Sequence, residues 1–288
     1  MDNNFLVIGG DLRIVKLVNM LSDKNVIYTY GLEKAEEIDS NEKIIKCNPI
    51  DKEIIQKSKA IIGPTPFSKD EIDIYAPYSE NVINISDILQ KCKEKHLIAG
   101  NIKEDVKKIA DANNVHITDL IKNEKLAILN SIATAEGAIE VAIKETDTII
   151  HGSDVLILGF GRIGKVLAKK LQGLSAHITC AARKQEDFAW INAYGYNSIN
   201  INEMGKELEQ FDIIFNTVPH LILTKEKLKY LNKKCLLIEL ASNPGGIDRK
   251  EAENYKIKVV EALALPGKVA PTTTAGFMKE IIYDLTEQ

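Results

Sequence analysis

This sequence predicts two consecutive α/β domains, each a doubly wound parallel sheet covered by helices on both faces, and three observations carry the prediction. The chain has 288 residues, above the roughly 100–200 residues typical of one domain. Short β-branched runs alternate with amphipathic helical stretches from Phe5 to Ile117, and a second such series runs from Asp154 to about Glu261, as when crossover helices join parallel strands. Between them, Leu120–Lys144 repeats Ile, Leu and Ala at three- and four-residue intervals with little but Gly137 to break it, which is the period of a helix.

In the first series, Phe5–Ile8 reads as a strand leading into a helix from about Leu12 to Leu21. Val26–Tyr30, Ala60–Ile62, Val82–Ile85 and Val115–Ile117 are the further strand candidates. His151–Gly152–Ser153 makes a break, after which strands are expected at Val155–Leu158, His177–Ala181, Ile213–Asn216, Leu236–Glu239 and Lys258–Val260. Thr272–Leu285 has a helical pattern. The boundaries drawn are 1–128 for an N-terminal substrate domain, 129–150 for an interdomain helix, 151–265 for the second domain, and 266–288 for a C-terminal loop and helix whose return to the first domain is open.

Hydrophobic residues make up 45% and charged residues 27% of the chain, the balance of a packed globular protein. A formal charge of -4 with 6% aromatic residues and no long basic run leaves no footprint for nucleic acid. No run approaches the roughly 18 consecutive apolar residues of a spanning helix, and MDNNFLVIGG lacks the regions of a signal peptide. A cytoplasmic protein with no membrane partner is expected. Cys47, Cys92, Cys180 and Cys235 stand singly, reading as reduced, mostly buried thiols, and with the five histidines equally scattered no metal site is expected.

The strongest local signal is VLILGFGRIGKVLAKKL, where Gly159, Gly161 and Gly164 form G-x-G-x-x-G between an apolar strand and an amphipathic helix, the context of a Rossmann dinucleotide fingerprint. Gly159 permits the tight turn, Gly161 lets backbone approach a pyrophosphate, and Gly164 lets helix and strand pack closely. Phe160, Arg162 and Ile163 fill the intervening positions, so their amides and the helix N-terminus face the anion, and the Arg162 side chain either contacts a phosphate group or lies on the surface. The second strand of this domain ends in Ala182–Arg183–Lys184, small and basic where an NAD site usually carries an acid, so NADP is the expected cofactor. A solvated loop face is the other reading of Arg183 and Lys184. Asn216–Thr217–Val218–Pro219 and Ala241–Ser242–Asn243–Pro244–Gly245–Gly246 follow later strands, where they either line the nicotinamide end or serve as plain turns.

IGGDLR near the N-terminus, LNSIATAEGAIEVAI in the joining helix, HGSDVLILGFGRIGK, SNPGG and LALPGKVAPTTTAG occur in that order along the chain. In order and spacing they resemble the A-subunit family of dipicolinate synthase over nearly its whole length. One departure is the run Thr272–Thr274 between Pro271 and Ala275–Gly276, a residue longer than the family's spacing. The resemblance implies NADP-dependent oxidation of dihydrodipicolinate, derived from the lysine-pathway aldolase product, to dipicolinate in the mother cell of sporulating bacteria. It also implies a small dicarboxylate substrate and, as partner, the flavoprotein-like B-subunit of the same synthase; a homo-oligomer is expected.

A dicarboxylate needs donors and its oxidation needs a proton acceptor. Asp11 and Arg13 sit at a strand-to-helix turn, as carboxylate-site residues or as a helix cap and a surface side chain. Asn130, Ser131 and Thr134 lie in the joining helix, with Asn130 and Thr134 on one face that either lines a cleft or is solvated. Glu136 is the candidate proton acceptor, on condition that burial raises its pKa. His96, His116, His151 and His177 lie at or before strand starts, away from the ligand end, and read as structural, and neither His220 nor Lys268 is assigned a role. Two rivals share this domain plan: a 2-hydroxy-acid or amino-acid dehydrogenase, and a regulatory protein that binds NADP without turnover.

Overall fold

The computed structural model describes residues 4–287. In chain order its elements are β1 (Asn4–Ile8), α1 (Leu12–Ser22), β2 (Val26–Tyr30), β3 (Ile44–Lys46), α2 (Lys52–Lys57), β4 (Ala60–Ile62), α3 (Ile85–Lys91), β5 (His96–Ala99), α4 (Glu104–Ala112), β6 (His116–Asp119) and α5 (Glu124–Glu145). There follow β7 (Asp154–Leu158), α6 (Arg162–Gly173), β8 (His177–Ala182), α7 (Gln185–Ala193), β9 (Asn197–Asn200), β10 (Ile213–Asn216), α8 (Lys225–Leu228), β11 (Leu236–Glu239), α9 (Arg249–Asn254), β12 (Lys258–Glu261), α10 (Leu265–Val269) and α11 (Pro271–Thr286). They divide into two compact units: one runs to Leu129 and includes the segment that starts at Ala270, and the other is Asn130–Val269.

Each unit is built on a six-stranded sheet, with orders β3-β2-β1-β4-β5-β6 and β12-β11-β10-β7-β8-β9. All pairings are parallel, as between Phe5 and Ile27 or Val155 and Ile178. Read from β9, the second order repeats the first, and in both the chain reverses direction beside the first strand of the unit. The central strands are apolar over most of their length because both faces are covered. In β1, Phe5 and Val7 join one core while Leu6 and Ile8 join the other. In β7, Val155 and Ile157 do the same against Leu156 and Leu158. Strand alternation thus sends successive side chains into separate cores.

The C-terminal helix α11 lies in the first unit, where Met278, Ile281 and Ile282 share a core with Leu17, Val18 and Leu21 of α1. Its first turn contains Thr272–Thr274, and Leu265–Val269 is the short helix α10, so the stretch expected as a loop is largely helical. Two further expectations are corrected. Val82–Ile85 is not a strand: Val82 is 76% exposed, and the Asn84 side chain accepts from the Ser86 and Asp87 amides to cap α3. The strand beside β4 is β5 instead. The joining helix does not run unbroken from Leu120; a 3₁₀ turn at Leu120–Lys122 comes first, capped by Asp119, and α5 starts at Glu124.

The edge strands β3 and β9 were not anticipated, since each pairs on one side alone, β3 is only three residues long and β9 is mostly polar. Among the described residues α5 is long and apolar enough to cross a membrane by length and composition, although no uninterrupted apolar run announced it. Its small-residue face, Ala135, Ala138 and Ala142, is buried in the core of the second unit. All four cysteines are free and buried. Burial pushes the Cys92, Cys180 and Cys235 thiols up to about 12.

Candidate functional site

In a doubly wound sheet the ligand crevice opens at the carboxyl ends of the strands where their order reverses. For the second unit that point lies between β7 and β10. Residues 159–164, the turn from β7 into α6, therefore meet the loop after β10. A crevice of about 490 Å³ opens there, lined in part by Gly159, Phe160, Ala182, Arg183, Val218 and Pro219.

The three glycines differ in their surroundings, and the differences match three distinct tasks. Gly159 has φ +95°, and a Cβ there would lie 2.6 Å from Thr217 Oγ1 and 2.8 Å from Val218 Cγ2. A Cβ on Gly164 would lie 2.2 Å from the Gly159 carbonyl oxygen, so helix and turn touch through it. At Gly161 a Cβ would meet nothing within 4 Å. Its absent side chain serves no internal packing and leaves open space at the N-terminus of α6, room that a pyrophosphate requires. The residues present thus fit a dinucleotide.

Ala182 is buried at the end of β8, and Arg183 and Lys184 are exposed beside it in the crevice lining. Lys184 pairs with Glu186 at 3.7 Å. Arg162 is exposed at the start of α6, and Ile163 packs partly into the core beneath. Ser242 and Asn243 are exposed in the loop after β11. His220, to which sequence reasoning gave no role, lines the same crevice as Arg183; its signal was its place just after Pro219.

Sequence reasoning also missed a buried polar pair behind these loops. Asn216 and Glu239 end β10 and β11 as register partners, at 0% and 1% exposure. Asn216 Nδ2 donates to Glu239 Oε1 at 2.6 Å and to the Val218 carbonyl at 3.0 Å, while the Val218 amide donates to Asn216 Oδ1 at 3.1 Å. Glu239 Oε1 also accepts from the Ala241 amide at 3.0 Å, and Oε2 accepts from the Gly246 amide at 2.8 Å. The available signal was an acid closing the apolar run Leu236–Ile238.

In the first unit the sheet reverses between β1 and β4. Asp11 accepts from the Arg13 amide and caps α1. The Arg13 guanidinium is part-buried; Nε and Nη2 bind the Asp11 carboxylate, and Nη2 also donates to the Thr65 carbonyl. Nη1 makes none of these bonds. The Gly9 and Gly10 amides donate to Tyr30 and Tyr75 carbonyls. This turn is chiefly braced from within, the cap reading of Asp11 holds, and Arg13 is no loose surface chain.

On α5, Ser131 and Thr134 are buried at 2% and 9% exposure, so their face is not solvated. The Thr134 hydroxyl donates to the Asn130 carbonyl at 2.9 Å, and Asn130 Oδ1 is buried with no hydrogen-bond partner among the described residues. Glu136 requires a correction. It is 58% exposed and its Oε1 accepts from Lys170 Nζ at 2.7 Å, so the burial on which its role as proton acceptor depended is missing. The His96 and His116 rings lie 4.8 Å apart, tilted at 50°, at the amino ends of β5 and β6, opposite the carboxyl ends of their own sheet.

Comparison with known proteins gives a consistent picture. Residues 4–121 match the family described as the N-terminal domain of the dipicolinate synthase A-subunit. Residues 128–244 match the D-isomer specific 2-hydroxyacid dehydrogenase NAD binding domain. The dipicolinate synthase A-subunit of Bacillus subtilis is 33% identical over 97% of this chain and 94% of its own. Among solved structures, the dipicolinate synthase A-subunit of Bacillus subtilis superposes with a TM-score of 0.90 at 30% identity, covering 100% of this chain and 96% of its own. Its counterpart from Bacillus halodurans superposes at 0.92 with 28% identity, covering 99% and 98%. A transhydrogenase from Sinorhizobium meliloti, at 13% identity over 98% of this chain and 93% of its own, shares the fold with a TM-score of 0.69.

Proposed function

The chain belongs to the A-subunit family of dipicolinate synthase, and from that premise we propose that it oxidises dihydrodipicolinate to dipicolinate with NADP. The observation that carries the reading is the open space at Gly161, at a fingerprint turn that faces the reversal point of the second sheet. When bound there, NADP supplies a hydride acceptor. The substrate's dihydro ring gives up one hydride and one proton and becomes aromatic, so the protein's task is mainly orientation.

In this reading the amides of residues 160–163 and the α6 N-terminus hold the pyrophosphate, with Arg162 exposed beside it. Arg183 and Lys184 bind the 2′-phosphate, where Ala182 offers no carboxylate to repel it. Thr217, Val218 and Pro219 line the nicotinamide end, and Ser242 and Asn243 donate to substrate from the loop after β11. In the first unit, Arg13 is the donor proposed for a carboxylate, oriented by Asp11 and free at Nη1 of those bonds. Asn130, Ser131 and Thr134 are kept as substrate-side residues, supported by the unsatisfied Asn130 Oδ1. With Glu136 exposed and paired, the proton passes to another acceptor, solvent included. The setting proposed is the mother-cell cytoplasm, with the flavoprotein-like B-subunit as partner and a homo-oligomeric assembly.

The test supplies pyruvate, aspartate semialdehyde, the condensing aldolase and NADP, with and without the B-subunit. NADPH absorbance and terbium luminescence from a pyridine dicarboxylate are expected to rise together. If neither rises in either condition while lactate-type or amino-acid substrates reduce the cofactor, the reading fails and a general dehydrogenase remains.

A further inference from the structure

We propose that Glu239 is a positioning residue for the nicotinamide end of the dinucleotide crevice, acting through Asn216 to hold residues 217–219 and 241–246 at a fixed separation. The proposal rests on the dinucleotide reading above and deepens it. A carboxylate at the end of a strand as apolar as β11 is costly to bury unless its oxygens are met by donors. Here they are met from two directions: Asn216 Nδ2 reaches Oε1 from β10, and the Ala241 and Gly246 amides reach Oε1 and Oε2 from the following loop. Asn216 in turn grips Val218 through both ends of its amide.

The clamp continues to the fingerprint itself. A Cβ on Gly246 would come within 2.4 Å of Asn216 Nδ2 and 2.8 Å of the Val218 carbonyl, so the second loop presses on the first without a side chain between them. Gly245 has φ +79°, and a Cβ there would sit 3.0 Å from Glu239 Oε2. On the other side, Thr217 and Val218 abut Gly159, and Thr217 Oγ1 donates to the Leu158 carbonyl at 2.8 Å. A chain of close contacts therefore runs from residue 246 through Glu239 and Asn216 to the first glycine of the turn. A group bound beside Gly161 and reaching toward residues 217–219 meets walls whose spacing Glu239 sets. Leucine at this position would leave the two loops without their shared acceptor.

Glu239→Gln keeps the shape of the side chain and sets an NH₂ against one of the N–H donors. The measurement compares the wild-type and E239Q proteins by titration with NADP and NAD, and with their counterparts truncated at the nicotinamide, 2′-phospho-ADP-ribose and ADP-ribose. Amide hydrogen exchange at Val218 and Gly246 is followed in the unliganded protein. E239Q is expected to weaken the whole dinucleotide roughly tenfold, as for one buried donor left unpaired, while the truncated ligands stay within about twofold. Exchange at Val218 and Gly246 should accelerate together. Gly246→Ala, which leaves the carboxylate in place and pushes on Asn216, should give the same split and carries the comparison if E239Q does not fold. Equal losses for whole and truncated ligands, or no loss for either, overturn the positioning role while leaving the dinucleotide reading intact. A wild-type protein that binds neither dinucleotide overturns that reading and the positioning role with it.

Discussion

The glycines of the fingerprint show how much a single residue's surroundings add to its spacing. Spacing assigns Gly161 to the approach of a pyrophosphate and Gly164 to close helix packing. The surroundings give each a measure: a Cβ at Gly161 enters open space, and one at Gly164 lies 2.2 Å from a backbone oxygen. Gly161→Val is therefore expected to abolish dinucleotide binding while keeping stability within about 1 kcal/mol of wild type. Gly164→Val should cost about 1–3 kcal/mol, because the overpacked turn must shift. Thermal melts beside cofactor titrations check both, and a G161V protein that binds normally removes the pyrophosphate from that space. At the ribose end, Arg183→Asp should shift the ratio of NADP to NAD dissociation constants about 10- to 100-fold toward NAD. An unchanged ratio would mean that Arg183 does not read the 2′-phosphate. These residues were legible because spacing and neighbours in sequence define them. The pairing of Asn216 with Glu239 was not, because an acid after Leu236–Ile238 becomes a clamp only when β10 and β11 lie in register and Gly246 folds back onto it.

Whole elements were legible where burial is complete. Phe5–Ile8 and Val155–Leu158 are central strands buried on both faces, so their composition is apolar throughout and needs no tertiary context to be seen. At the sheet edges the signal fades: Asn197–Asn200 pairs with β8 on one side alone and has just one apolar side chain. Val82–Ile85 misleads in the opposite direction. Its β-branched residues favour a strand, but the Asn84 side chain caps α3 and ends any extended run there. Two helices can be tested as elements. Ile281 of α11 is 1% exposed in the core shared with α1, so Ile281→Ala should cost about 2–5 kcal/mol, read by denaturant melts. Loss below about 1 kcal/mol would mean that α11 is dispensable to that core. At the start of α1, Arg13 braces both its own cap and the Thr65 carbonyl. Arg13→Ala should lower stability by about 1–3 kcal/mol and impair turnover, with the NADP dissociation constant unchanged. Parallel losses in turnover and cofactor binding would contradict the substrate-side assignment.

At the scale of the molecule, the two units share a strand order but differ in how the chain builds them. Asn130–Val269 is one continuous stretch with its own cores on either face of its sheet, and all residues of its crevice lie within it. The other unit is discontinuous: its core on the α1 side contains Ala275, Met278, Ile281 and Ile282, which the chain supplies last. Sequence patterning finds α11 as a helix but cannot tell which core it fills, since its apolar stripe would suit any sheet face. The difference predicts an asymmetry in folding. Expressed alone, residues 130–269 should give a cooperative melt and bind NADP with the intact chain's affinity to within about tenfold, because no donor of the fingerprint comes from elsewhere. Residues 1–129 alone lack the side chains that cover Leu17, Val18 and Leu21. They should expose that apolar face, bind a hydrophobic dye and melt without cooperativity, and adding residues 270–288 as a separate peptide or a linked segment should restore a cooperative transition. If 1–129 folds cooperatively by itself, α11 is an accessory to a complete unit. If 130–269 folds without binding NADP, the first unit or the C-terminal segment contributes to the cofactor site.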